Sequence, residues 1–234
     1  MISTTLTTTT PLMNFKDMPF TSLNEYGGLD SSSHLFRGIG MRPIKDPESA
    51  TLIVFNGGAD IGTKIYHERP AYRGVPFEPS RRDEEEIAIF NRFPNTFKLG
   101  ICRGAQLLNC LNGGTLWQDV DRHTRDHMIV DTRTGEKIRA TSTHHQMMRP
   151  NYKTGVVIAT ADESTRKLAN PDHWEAGHSL FYPDDHKDTE IVWYPQTRTL
   201  CIQGHPEYVP GSRFADYCFE LMSEFMQESL QFAG

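Results

Sequence analysis

Between residues 97 and 114 the chain runs from an apolar stretch, Phe97-Lys-Leu-Gly-Ile, through Gly100-Ile101-Cys102-Arg103-Gly104, and on through Ala-Gln-Leu-Leu-Asn-Cys-Leu to Asn112-Gly113-Gly114. A short apolar run reads as a buried strand, and the apolar-rich stretch that ends at glycines reads as a helix. A strand and a tight glycine turn also occur upstream, where Thr51-Leu-Ile-Val-Phe stops at Asn56-Gly57-Gly58-Ala59-Asp60. Residues 67–80 are a Pro- and Gly-punctuated loop, after which a helix is expected from about Ser80. Its acidic first turn suits the helix dipole, and Ile87, Ile89, Phe90 and Phe93 form its apolar side. Strand, glycine turn and helix used twice imply a parallel sheet covered by helices.

The second half has a different texture. Ile129-Val130, Ile138 to Thr143, Val156 to Thr160, Glu190 to Tyr194 and Leu200 to Gln203 are short strand candidates separated by turn residues. A last helix from about Ser212 to Phe232 carries Phe214, Tyr217, Cys218, Leu221, Met222 and Phe225 at helical spacing. Near the start, Asp30-Ser-Ser-Ser before HLFRGIG reads as a capped helix that ends at glycine, and Thr4 to Thr10 as a frayed tail rather than an edge strand. No repeat or low-complexity linker interrupts the chain, so a single domain over residues 1–234 is expected.

Charge and cysteine usage exclude several classes of function. The net charge is −6 and no run of Lys or Arg exceeds two, which disfavours nucleic acid as a partner. Cys102, Cys110, Cys201 and Cys218 show no C-x-x-C spacing and read as reduced thiols, with Cys110 packed in the core. The N-terminus lacks a signal-peptide pattern, and no apolar stretch approaches the ~20 residues of a membrane span. A soluble, cytoplasmic protein that does not engage membranes is the expectation.

The pentapeptide around Cys102 carries the strongest chemical signal. A nucleophile elbow needs small neighbours because the turn is sharp and its central residue is strained. The turn presents the side chain beyond the carboxyl end of the sheet, beside a helix N-terminus that favours a thiolate. A thiol attacking an amide needs a base, and the base an orienter. Gly204-His205-Pro206-Glu207 follows the apolar strand Leu200-Cys201-Ile202-Gln203, which would deliver His205 to the same sheet edge and let Glu207 hold its ring. An oxyanion would be met by backbone N–H groups of the Gly57-Gly58 turn and of Arg103.

Taken together these segments resemble class I glutamine amidotransferases. GICRGAQLLNCLNGGTLWQDV is similar to their nucleophile segment, most of all in the γ-glutamyl hydrolase branch that includes hydrolases of γ-glutamyl-γ-aminobutyrate (the peptidase C26-like proteins). FNGGADIGTKIYHE, TSTHHQMM and CIQGHPEY resemble the oxyanion, pocket and His-Glu segments in the family's order, over roughly residues 51–210. The resemblance implies an α/β fold, a flavodoxin-like three-layer sandwich with a mostly parallel central sheet. It implies Cys102 as nucleophile, His205 as base and acid, Glu207 as orienter, and Gly57 or Gly58 with Arg103 at the oxyanion. Gln106 would contact the glutamyl portion, and His144, His145 and Gln146 would line the pocket. Asn109 and Gln118-Asp119 would be structural. Two departures stand out: Asn56 occupies a position where the family usually has proline, and the region before residue 50 is less family-like.

The expected reaction is hydrolysis of a γ-glutamyl amide through a γ-glutamyl thioester, with no cofactor. The substrate would be glutamine or a γ-glutamyl amine. The alternatives are a glutaminase subunit that supplies ammonia to a separate synthetase partner, and a catalytically idle binding module. His123 and His127, four apart, suggest a metal site together with His144 and His145, but no acidic or cysteine partner has familiar ligand spacing, so none is expected. Asp172 to Asp188 is read as a surface hairpin rather than a lid over the site.

Overall fold

The computed structural model describes residues 12–24, 32–165, 167–168 and 187–231. In chain order the strands are β1 Pro19–Leu23, β2 Arg42–Pro43, β3 Leu52–Phe55, β4 Phe97–Ile101, β5 Thr115–Trp117, β6 Asp119–Val120, β7 His127–Asp131, β8 Lys137–Ala140, β9 Met147–Arg149, β10 Val156–Ala161, β11 Lys167–Leu168, β12 Thr189–Tyr194 and β13 Thr199–Ile202. The α-helices are α1 Ser32–Gly38, α2 Arg81–Arg92, α3 Arg103–Leu111 and α4 Arg213–Gln231.

The main sheet runs β2-β1-β3-β4-β13-β12-β10-β7-β8, and β9 joins β12 to β5. Its first five strands are parallel, in the order of a flavodoxin-like doubly wound sheet. From β12 outward every pairing is antiparallel. Strands β3, β4 and β13 are buried at every position, as expected where helices cover both faces.

Alternation along these strands sorts the core into two layers. Leu52, Val54, Leu200 and Ile202 pack with Phe36 of α1 and Phe214, Leu221 and Phe225 of α4. Ile53, Phe55 and Cys201 pack on the other face with Phe90 of α2 and Leu107 and Leu108 of α3. The result is the three-layer sandwich. Lys98 is the one basic residue inside β4, and its Nζ donates to the carbonyls of Pro94, Thr96 and Thr197. Burial, with help from Arg198, pulls its pKa down to about 8.

Several elements were not visible as patterns. β1 interrupts Phe20 and Leu23 with Thr21 and Ser22, β2 spans two residues, and β5, β6 and β9 span only two or three each, too few to show a period. The expected strand over Ile138 to Thr143 stops at Ala140, and Thr141 instead turns to meet His205. Ser80 caps α2 in a reciprocal box with Asp83. Among the described residues, no helix is long and apolar enough to cross a membrane. Thr4 to Thr10, the Asp30 cap and residues 172–186 lie outside the described residues.

Candidate active site

The carboxyl ends of β3, β4 and β13 are neighbours in the sheet, and each delivers one part of the site. Such strand ends are where doubly wound sheets place ligands. Cys102 follows β4 with φ 51° and ψ −110°, a left-handed backbone in which a side chain is strained. Its amide donates to Ile202 O at 2.9 Å and its carbonyl accepts from Gln106 N at 3.0 Å, which pins the turn. The flanking glycines are required by contact. A Cβ on Gly104 would lie 2.0 Å from Phe55 O, and one on Gly100 would lie 2.6 Å from the backbone of Ala105.

His205 leaves β13 with its amide bonded to Thr141 O at 3.0 Å, and Thr141 Oγ1 donates back to His205 O. Nδ1 of His205 lies 2.7 Å from Glu207 Oε1, and both residues are buried. A carboxylate accepts only, so the proton of this bond sits on Nδ1. Nε2 makes no hydrogen bond and is left for the sulfur of Cys102. Burial opposes charge on the ring, but Cys102 and Glu207 outweigh it and raise the pKa to about 10. Tyr208 stacks on the imidazole at 4.2 Å and 6°. That contact was not anticipated, although the tyrosine directly follows Glu207 in the sequence.

The glycine turn after β3 sits against this pair. A Cβ on Gly57 would be 3.1 Å from His205 Cε1 and 3.7 Å from Cys102 Cβ. Arg82 of α2 donates to Gly57 O at 3.0 Å and to Asn56 O at 2.8 Å. In a trans peptide the N–H opposes the C=O, so the amides of Gly57 and Gly58 point away from Arg82. The N–H of Arg103 is among the unpaired donors of the first turn of α3. The Arg103 guanidinium is buried in ion pairs with Asp83 and Glu86 of α2, and Glu86 also pairs with Arg82. Asp83, in the first turn of α2, and Glu86, in the next, are therefore buried partners of the site rather than surface charges.

A cavity of about 350 Å³ is lined by Gly58, Cys102, Arg103, Gln106, His205 and the segment from Thr143 to Gln146. Gln106 Nε2 donates to Gln146 O at 2.9 Å, tying α3 to that segment. The side-chain amide of Gln146 is buried with neither its nitrogen nor its oxygen bonded. His145 is half-buried, and its pKa is raised chiefly by its bond to Asp60, another lining residue that sequence reading passed over. His144 is fully enclosed, donating from Nδ1 to Gln146 O at 2.8 Å. Asn109 and Gln118 lie apart from the cavity. Asn109 holds the turn before β5 through Thr115 O, and Gln118 bonds Ala71 N and Arg69 O.

Comparison with known proteins gives the family and the fold. The peptidase C26 family profile matches residues 49–170. A glutamine amidotransferase-like protein, YvdE, of Lactococcus lactis subsp. lactis is 36% identical over 66% of this chain, which spans 65% of that relative. The protein NtpR of Enterococcus hirae is 32% identical over 80% of this chain and 81% of its own length. In fold, the chain is similar to a glutamine amidotransferase from Thermotoga maritima, with a TM-score of 0.53 over 92% of this chain and 85% of that one, at 11% identity.

Proposed function

The chain belongs to the peptidase C26 family of glutamine amidotransferase-like proteins, and on that premise we propose that it hydrolyses γ-glutamyl amides. The observation that carries the reading is His205, clamped by Glu207 through Nδ1, with its buried Nε2 unbonded beside Cys102 on a strained strand-to-helix turn.

In the reaction, Cys102 Sγ, deprotonated by His205, adds to the γ-carbonyl carbon. The carbonyl oxygen becomes an oxyanion, met by the N–H groups of Gly57 or Gly58 and of Arg103. Preorganised donors of this kind are typically worth ~10²- to 10³-fold in rate. The C–N bond then breaks, and the proton from His205 leaves with the amine or ammonia. Water enters, gives its proton to His205, and splits the γ-glutamyl thioester to release glutamate and regenerate the thiol. Gln106 and the unbonded amide of Gln146 are placed to meet the polar atoms of the glutamyl group, and His145 with Asp60 forms the charged side of the pocket.

The test is amine release from γ-glutamyl-γ-aminobutyrate and related amides, beside ammonia release from glutamine, with Cys102→Ala as control. Turnover of a γ-glutamyl amine that vanishes in Cys102→Ala supports the proposal. Glutamine turnover alone, and only with a synthetase present, would replace it with the ammonia-supplying reading. Full activity in Cys102→Ala would exclude the mechanism.

A further inference from the structure

At the pocket wall three imidazoles and a carboxylate converge, and of these only His144 also lines the catalytic cavity. They are His123 in the turn after β6, His127 at the start of β7, His144 between β8 and β9, and Glu190 on β12, and one ligand atom from each lies within 4.8 Å of the others. Glu190 Oε1 is 2.9 Å from His127 Nε2, 3.2 Å from His123 Nδ1 and 3.8 Å from His144 Nε2. Tetrahedral zinc bonds of ~2.0–2.1 Å place neighbouring ligand atoms about 3.3 Å apart. The three contacts of Glu190 bracket that distance, and the remaining pairs lie within 4.8 Å.

The outward-facing nitrogens settle which lone pairs face inward. His127 Nδ1 is 3.1 Å from Arg125 O, His144 Nδ1 is 2.8 Å from Gln146 O, and His123 Nε2 is 2.8 Å from Asp188 Oδ2. Carbonyls and carboxylates only accept, so each outer nitrogen carries a proton, and a metal would displace the proton that His127 Nε2 shares with Glu190 Oε1, leaving the inner lone pairs facing the centre. Outer hydrogen bonds to carbonyl or carboxylate are how metal-bound histidines are oriented. Asp188 is itself held by Thr165 through N and Oγ1.

The inner atoms lack other partners. His123 Nδ1, His144 Nε2 and Glu190 Oε2 are buried without a hydrogen bond, in residues 3% exposed or less. Unsatisfied buried polar atoms are costly, and several at one point call for a shared partner. A cleft of about 260 Å³ beside His123 and His127, with Asp162 and Glu163 on its rim, gives a cation a way in.

We propose that His123, His127, His144 and Glu190 form a closed, four-coordinate zinc site that braces the wall of the catalytic pocket. The bracing runs through His144, whose other nitrogen holds the carbonyl of Gln146. Four protein ligands leave no open position, so the ion is structural rather than a Lewis acid for the hydrolysis. A network of protons shared among the same groups is the competing arrangement.

The experiment uses the full chain as Cys102→Ala, which removes the sulfur of the catalytic pocket as a competing ligand. The protein is stripped with a chelator and titrated with zinc chloride against a chromophoric competitor, and X-ray absorption is recorded at the zinc edge. One zinc per chain, bound below micromolar concentration with three imidazoles and an oxygen, is expected. His127→Ala removes the most exposed ligand and should weaken binding by more than the ~10- to 100-fold that loss of an outer partner costs. Zinc should raise the melting temperature of the first protein and not of the second. Absence of stoichiometric binding overturns the proposal in favour of the proton network. A sulfur ligand in the spectrum, or unchanged affinity in His127→Ala, overturns it by placing the ion elsewhere.

Discussion

Arg103, the residue after Cys102, is joined through its buried guanidinium to Glu86 on α2. The same carboxylate holds Arg82, whose two terminal nitrogens grip the carbonyls of Asn56 and Gly57. One glutamate thus couples the elbow after β4 to the glycine turn after β3, the two sources of the proposed oxyanion donors.

Replacing Glu86 by glutamine should show this coupling directly. Breaking a buried ion pair by removing one partner typically costs ~3–5 kcal/mol, because the surviving charge stays buried. We expect a loss of that order in urea unfolding, and reduced turnover as Arg82 releases the glycine turn. An unchanged denaturation midpoint would mean that the pairing contributes nothing.

Glu207→Gln tests the clamp on His205. A glutamine can offer its NH₂ to Nδ1 and favour the wrong tautomer, and the analogous change in a serine triad lowers kcat by ~10⁴. We expect kcat to fall by at least about 10², with KM changed little, in a steady-state assay.

The same pair predicts a pH dependence of stability. The folded pKa of His205 is raised to about 10 from 6.5, so its contribution is fully present below about 6.5 and is lost as pH rises through about 10. Lys98 acts oppositely. Its folded pKa is lowered to about 8, so the penalty of burying its charge is relieved at high pH. The difference in melting temperature between wild type and Glu207→Gln cancels Lys98 and should shrink from pH 7 to pH 10. A constant difference would show that His205 is not held charged.

Asn56 gives a fourth test. Its amide nitrogen donates to Ser22 Oγ at 2.8 Å and Leu23 O at 2.6 Å, and its oxygen accepts from Ser32 Oγ at 2.6 Å. The side chain ties the ends of β1 and β3 to the start of α1, a task proline could not perform. Asn56→Ala leaves buried partners unsatisfied and should cost ~1–3 kcal/mol, measured by thermal unfolding.

Two glycines make a contrasting pair. Gly104→Ala sets a Cβ against the backbone of Phe55 and should prevent accumulation of folded protein. Gly38→Ala meets nothing within 4 Å, and within α1 it should be neutral or stabilise by ~0.5–1 kcal/mol. Expression yield and melting temperature separate the two.

The elements around the site were legible because their signals are local. Leu52–Phe55, Phe97–Ile101 and Thr199–Ile202 are apolar runs bounded by turn residues, and each chemical motif sits at the end of one. The acids of α2 were read as dipole partners because a sequence shows their helix position and not what lies opposite. Their burial depends on Arg103, 17 residues from Glu86 and on another helix. Glu190 shows the same limit. It lies 63 residues from His127, and no spacing rule joins a strand residue to a histidine that far away.

By itself, then, the sequence determined the parallel strands, the strained elbow at Cys102 and the His-Pro-Glu turn, because periodicity, glycine and proline act on the backbone within a few residues. Tertiary structure alone decided that Glu86 is the hub of the site, that Asn56 pins β1, and that Glu190 meets three histidines. Those outcomes depend on strand order and helix placement, which bring charges together across the sheet at distances the chain does not encode locally.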